Sequence, residues 1–239
     1  MYKRQLLVRP DDCRTFSTVV VVKPNGDHSF LVGPGENFTP EMSDVDLSVL
    51  RKTRAVTAGS LFALGALDQN GIEVIFEEAQ KAGALTIADM NFDCAGIGPH
   101  AVKKVYPYTD YLMPSYDEAV YVTGEKDPDA IADVFLNAGV KNVVLKMGAE
   151  GCFFKSGEKR FFTDPFKIKP LDTTGCGDNF VAGFVHCLLK GMEPEACAEF
   201  ACGAGALNSQ GLGAHLYIRS EQHVEEFIRQ AEKAALNRK

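Results

Sequence analysis

The chain has no apolar run long enough to cross a bilayer, and nothing in it reads as a signal peptide. It has no basic excess either. Its 25 Lys and Arg face 32 Asp and Glu, a formal net charge of −7, which argues against a nucleic acid or an anionic membrane as partner. The cysteines form no framework. Cys13, Cys94, Cys152, Cys176, Cys187, Cys197 and Cys202 are odd in number and scattered, with no metal-ligand spacing. They read as reduced thiols of a cytoplasmic protein, with Cys187 and Cys197 at helical core positions. The five histidines are isolated, so no Ser-His-Asp or Cys-His arrangement is in view. His186 reads as a core residue and His215 as a loop residue. Internal repeats and low-complexity segments are also missing.

What remains is a globular chain. A length of 239 residues with 46% hydrophobic content predicts one domain with a sizeable core. Residues 17–23 and 28–32 are β-branched and apolar around Pro24-Asn25-Gly26-Asp27, which predicts a β-hairpin. Beyond Gly33-Pro34-Gly35 the pattern changes. Short helices are predicted over 44–52, 99–105, 117–122 and 128–138. A longer one runs over 68–82, with Ile72, Ile75, Phe76 and Ala79 on one face. Strands are predicted over 54–58, 84–89, 108–113 and 142–146, and a second hairpin over 152–155 and 159–163, turning at Ser156-Gly157. Helices over 175–190, 194–208 and 220–235 close the chain. Helices alternating with short apolar strands predict an α/β fold with a mostly parallel sheet and helices on both faces.

The densest chemistry lies in Asp172-Thr173-Thr174-Gly175-Cys176-Gly177-Asp178-Asn179-Phe180. A glycine-rich turn opens an apolar helix. Glycines let backbone N–H groups approach an anion, and a helix start offers unpaired donors and the positive end of the dipole. A carboxylate in that first turn, Asp178, is a candidate general base beside a phosphate. The plain alternative is an ordinary helix start with an acid favoured by the dipole.

This stretch resembles the Asp-Thr-x-Gly-x-Gly-Asp signature of the PfkB (ribokinase-like) family of sugar and nucleoside kinases. The resemblance implies a three-layer α/β/α fold with part of a small β lid, and an ATP-dependent transfer to a hydroxyl of a small sugar. It makes Asp178 the base, and it makes Gly175, Cys176 and Gly177 the anion hole for the transferring group.

The same resemblance reaches other segments. Lys146-Met147-Gly148-Ala149-Glu150-Gly151 lies where the family has Thr-x-Gly-x-x-Gly against the nucleotide. Gly148 and Gly151 match, and Lys146 replaces the Thr; a lysine there suits polyphosphate, or is a solvated strand end. Cys202 and Gly205 would line the adenine slot, or merely allow close helix packing. Glu118 stands where a family Glu organises Mg2+, and Ser115-x-x-Glu118 is equally a plain capping box. Asp89 and Asn91 follow a strand, where open α/β sheets bind ligands, and would meet the sugar unless they only cap a turn. Asp93 takes the place of a family Arg that holds acidic groups, which leans toward a neutral sugar. Asp172 and Thr174, with Asn208, Gly211 and Gly213 of a polar loop, would bind a monovalent cation such as K+. The alternative for that loop is a glycine C-cap.

The family resemblance begins around Thr15, and the first strands and a Gly-Gly sugar signature that precede this point in the family are not seen. Met1-Tyr2-Lys3-Arg4-Gln5 matches a transposase mosaic-end adapter translated from a GTG start, so it reads as a library scar on an N-terminally truncated fragment. The expected division is 1–14 as a non-native or linker start, 15–34 as a partial lid hairpin and 35–239 as the kinase core. A full-length relative could dimerise through the lid. Two other readings stay open: a nucleoside kinase of the same family, and a non-catalytic nucleotide-binding module. A dehydrogenase is disfavoured, because the glycine motif lies late in the chain and carries an acid inside the helix.

Overall fold

A computed structural model describes residues 18–23, 28–32 and 40–234. The proposed scar, the segment 1–14 and the turn at 24–27 lie outside the described residues. Strands β1 (Thr18–Val22) and β2 (His28–Val32) form an antiparallel two-stranded sheet of their own, in register Thr18 opposite Val32. Val19 and Leu31 stand opposite each other and are exposed.

The second sheet has six strands in chain order. These are β3 (Ala55–Leu61), β4 (Leu85–Met90), β5 (Tyr111–Leu112), β6 (Asn142–Lys146), β7 (Cys152–Ser156) and β8 (Arg160–Thr163). The first four run parallel, and β7 and β8 are each antiparallel to the strand before them. Strand alternation divides their side chains between two cores. Val143 and Leu145 of β6 pack toward α2 (Ile72–Lys81), α3 (Tyr116–Thr123) and α4 (Pro128–Asn137). Val144 packs the other way, against α5 (Cys176–Leu189) and α6 (Pro194–Asn208). Both faces of β6 are therefore covered, and its apolar run needs no polar alternation. The result is the expected α/β/α layering.

Local chemistry sets the boundaries. Asp127 caps α4 by accepting from the Ala130 amide at 3.1 Å, with Pro128 in the first turn. The expected helix over 68–82 is two pieces, the short α1 (Ala66–Asn70) and then α2, parted at an extended Gly71. The buried face of α2 is Ile72, Ile75, Phe76 and Ala79, as its periodicity indicates. The expected helices over 44–52 and 99–105 are instead 3-10 turns at Met42–Asp44, Leu47–Lys52 and Lys103–Tyr108, the last one containing Pro107.

Three further differences bear on function. Helix α7 (Glu221–Gln230) stops five residues short of the expected end, because Ala231 turns extended. The strap after it lies along 165–167: the Lys167 amide donates to the Glu232 carbonyl at 2.7 Å and the Ala234 amide to the Pro165 carbonyl at 2.9 Å. His186 is not core; its side chain is 43% exposed and its Nε2 lies 3.3 Å from a Glu221 carboxylate oxygen. Lastly, Phe62 adopts a left-handed φ of 76°, where the buried Asp68 carboxylate accepts from the Phe62 and Leu64 amides at 3.0 and 2.7 Å. That carboxylate replaces the ladder bonds that β3 gives up as it turns.

Candidate active site

The parallel strands β3 to β6 end on one edge of the sheet, and the start of α5 comes to that edge. Gly175 precedes α5 with a left-handed φ of 72°, so the chain can reverse directly into the helix. A Cβ there would stand 2.1 Å from the Ala214 carbonyl oxygen, so the loop at 211–214 is pressed against the turn. Asn179, which the motif reading passed over, fastens the two: its Nδ2 donates to the Gly175 carbonyl at 2.7 Å and to the Ala214 carbonyl at 2.6 Å. Asn208 does the same from α6, donating to the Thr174 and Ala214 carbonyls at 3.1 and 3.2 Å. Asp172 completes the fastening, accepting from the Thr174 and Gly213 amides, each at 2.9 Å. Asp172, Thr174, Asn208 and Gly213 thus gather behind the turn. Gly211 belongs to the same loop, but what meets it is the Tyr217 ring.

A cavity of about 450 Å³ opens beside this turn, within the size range of small-ligand sites. Lys146, Gly148, Gly151, Cys176, Gly177, Cys202 and Gly205 all line it, so the expected nucleotide residues and part of the expected anion hole share one space. Gly205 lets α6 come close, since a Cβ there would lie 3.2 Å from the Cys176 carbonyl oxygen. Phe166 and Ala234 also line the cavity, so the C-terminal strap is part of its wall. No periodicity in the sequence announces that wall, because it forms where α7 ends early. Burial pushes the Cys176 thiol up to about 11, which keeps it protonated and uncharged beside the helix start. Asp178 is exposed in the first turn of α5.

Lys146 ends β6 on the same face as Val144, and Asp89 lies on the same face of β4 as Ile87; both therefore point toward α5. Their side chains form an ion pair, 13% and 5% exposed. A Cβ at Gly177 would begin 3.5 Å from the Lys146 Nζ, so the ammonium stands at the glycine turn. Burial pushes the Asp89 carboxyl up, Lys146 pulls it back and Glu118 adds a smaller upward push, leaving it at about 6. Glu118 is also held locally: Ser115 and Glu118 form the capping box of α3, with the Ser115 amide donating to Glu118 at 2.7 Å. Asn91 is exposed and its Oδ1 accepts from the Phe92 amide at 2.8 Å.

A raised carboxyl pKa has a definite stability signature. The folded state holds the Asp89 proton more tightly than the unfolded chain, whose value is near 3.8. The contribution of Asp89 is therefore favourable below that value and is lost as pH rises toward 6. At about 1.4 kcal/mol per unit, the loss is on the order of 3 kcal/mol. Urea midpoints of the wild type and Asp89→Asn, followed from pH 4 to pH 7, are expected to move apart in favour of the variant. A constant gap would show that folding does not raise the Asp89 carboxyl.

A family model described as the pfkB family carbohydrate kinase matches residues 4–219, beginning upstream of Thr15. An uncharacterized sugar kinase of Archaeoglobus fulgidus is 30% identical over 187 residues, which span 78% of this chain and 73% of that protein. A 2-dehydro-3-deoxygluconokinase of Bacillus subtilis is 32% identical over 115 residues, 48% of this chain and 36% of the relative. The structure of Arabidopsis thaliana ribokinase complexed with ribose and ATP superposes with a TM-score of 0.75 at 25% identity, covering 91% of this chain and 70% of that one. Among the described residues no helix is long and apolar enough to cross a membrane. With its three layers, its glycine turn and a family match over most of its length, this chain belongs to the pfkB family of carbohydrate kinases and has the ribokinase-like fold.

Proposed function

We propose that the chain transfers the γ-phosphoryl group of ATP to a hydroxyl of a small neutral sugar. The observation that carries this reading is the meeting of the Gly175–Gly177 turn, the Lys146 ammonium and the cavity at the start of α5. The adenine and ribose occupy the cavity between α6 and the strap. The phosphates run toward Gly177, where backbone amides, the helix dipole and Lys146 oppose their charge. Asp178, in the same first turn, takes the proton from the acceptor hydroxyl. Positioning supplies most of the remaining rate.

The residues present suit the ions that the family implies. Among the described residues no three His, Cys, Asp or Glu cluster into a cage. Mg2+ would therefore be held chiefly by phosphate oxygens, with Glu118 as the protein's carboxylate near them. It would neutralise charge developing on the phosphates. The Thr174 Oγ1 and Asn208 Oδ1 are buried with no hydrogen-bond partner among the described residues, beside the Asp172 carboxylate. Two orphaned oxygens and a carboxylate suit a hard monovalent cation such as K+, which would stiffen the turn from behind.

Asn91 and the strand ends around it are offered to the sugar. Asp93 supports a neutral one. Burial raises its carboxyl, but the Gly98 and Ile97 amides, at 2.7 and 2.9 Å, and the Tyr121 hydroxyl, at 3.0 Å, outweigh this and hold its pKa below the usual range. A carboxylate kept ionised there repels a phosphorylated or acidic sugar.

The test is ADP formation from magnesium-ATP in potassium chloride over a panel of neutral sugars, sugar acids, sugar phosphates and nucleosides. Turnover with a neutral sugar is expected. Turnover with nucleosides alone would favour the nucleoside-kinase reading. Nucleotide binding without turnover on any acceptor would favour the non-catalytic module.

A further inference from the structure

We propose that Asp89 is a positioning residue for Lys146, and that Lys146 is a catalytic residue gripping the phosphates at the glycine turn; this rests on the nucleotide reading of the cavity. Asp89 and Lys146 are 57 residues apart in sequence, yet strand alternation turns both toward α5. Both carboxylate oxygens of Asp89 are already engaged. Oδ2 pairs with the Lys146 Nζ, and Oδ1 accepts from the Met90 amide at 2.8 Å. A carboxylate that is 5% exposed and used on both oxygens has little left for sugar hydroxyls.

Lys146 is placed differently. Its ammonium carries three donors, and the structure spends one of them on Asp89. It lines the cavity and stands 3.5 Å from where a Gly177 side chain would begin. Any larger residue at 177 would take the space between the ammonium and the helix start. An anion seated on the Gly177 amide would therefore meet the lysine as well. Asp89 supplies the counter-charge to this cation in a partly dry site and aims it. Glu118 adds a second negative charge on the same side, near enough to act on Asp89.

Calorimetric titration with ATP and with AMP, in magnesium chloride, tests this on the full chain. AMP lacks the β- and γ-phosphates, so the ratio of the two affinities isolates the grip on them. Lys146→Met is expected to reduce the preference for ATP at least tenfold while changing AMP affinity less than twofold. Asp89→Asn is expected to reduce the same ratio three- to tenfold. In the double variant Asp89→Asn should add nothing to Lys146→Met, because Asp89 acts only through the lysine. The double variant also removes both charges of the pair together, which avoids leaving one buried alone. An additive double variant, or a Lys146→Met chain with its ATP preference intact, overturns the assignment while leaving the kinase reading in place. A wild-type chain that binds neither nucleotide removes the kinase reading and this inference with it.

Discussion

Replacing Asp178 by Asn is expected to lower phosphoryl transfer by about 10³-fold while ATP affinity stays within about threefold of the wild type. The two side chains have nearly the same shape, so the first turn of α5 keeps its geometry. Asn accepts no proton at neutral pH, so the acceptor hydroxyl must attack the γ-phosphorus with no base to take its proton. Removing a negative charge near the phosphates would, if anything, tighten ATP. The expected pattern is thus a fall in kcat with little change in the apparent affinity for nucleotide, the mark of an interaction made in the transition state. Single-turnover transfer and calorimetry on the same preparations separate the two. A variant that transfers as fast as the wild type would remove Asp178 from the chemistry. A variant that loses ATP binding as well would mean that Asp178 shapes the anion site rather than acting on the acceptor.

The parts of this site that were legible in sequence are the parts built from neighbours. Gly175, Cys176, Gly177 and Asp178 are contiguous, and a turn that opens a helix carries its own chemistry. Strand β6 and helix α6 also matched their patterns end to end, because Asn142 and Lys146 bracket three apolar residues and Pro194 starts a long run of small ones. What escaped the sequence is made by contacts between distant residues. Asp89 and Lys146 can be placed on one face only once β4 and β6 are known to lie in the same sheet with α5 above them. Asn179 looked like a helix residue after the motif, yet it fastens the turn to a loop 35 residues on. His186 sat in an apolar stretch of α5, and only the packing of α7 shows that its side chain reaches out to Glu221. The strap at 231–234 is a departure from helix into a bridge with Phe166, a tertiary override that periodicity does not carry.

Gly175→Ala is expected to be strongly damaging, and Gly191→Ala supplies its control. Both glycines hold a left-handed backbone, with φ of 72° and 76°. An alanine in that region costs about 1 kcal/mol from strain alone. At Gly191 nothing among the described residues lies within 4 Å of the added Cβ, so strain should be the whole effect. At Gly175 the Cβ would stand 2.1 Å from the Ala214 carbonyl oxygen and 2.8 Å from the Ala214 Cα, both backbone atoms that cannot swing aside. The loop at 211–214 must move, and with it the hydrogen bonds from Asn179, Asn208 and Gly213 that bind it to the turn. A loss of about 3 kcal/mol or more follows, which for a chain of this size lowers Tm by roughly 6–12 °C. The Gly191 variant should lose about a third of that. The same displacement should weaken ATP binding in the Gly175 variant alone, because the loop braces the glycine turn from the side away from the cavity. Equal losses in the two variants would mean that the loop yields without cost. The anion hole would then owe its shape to the helix start itself and not to the loop pressed behind it.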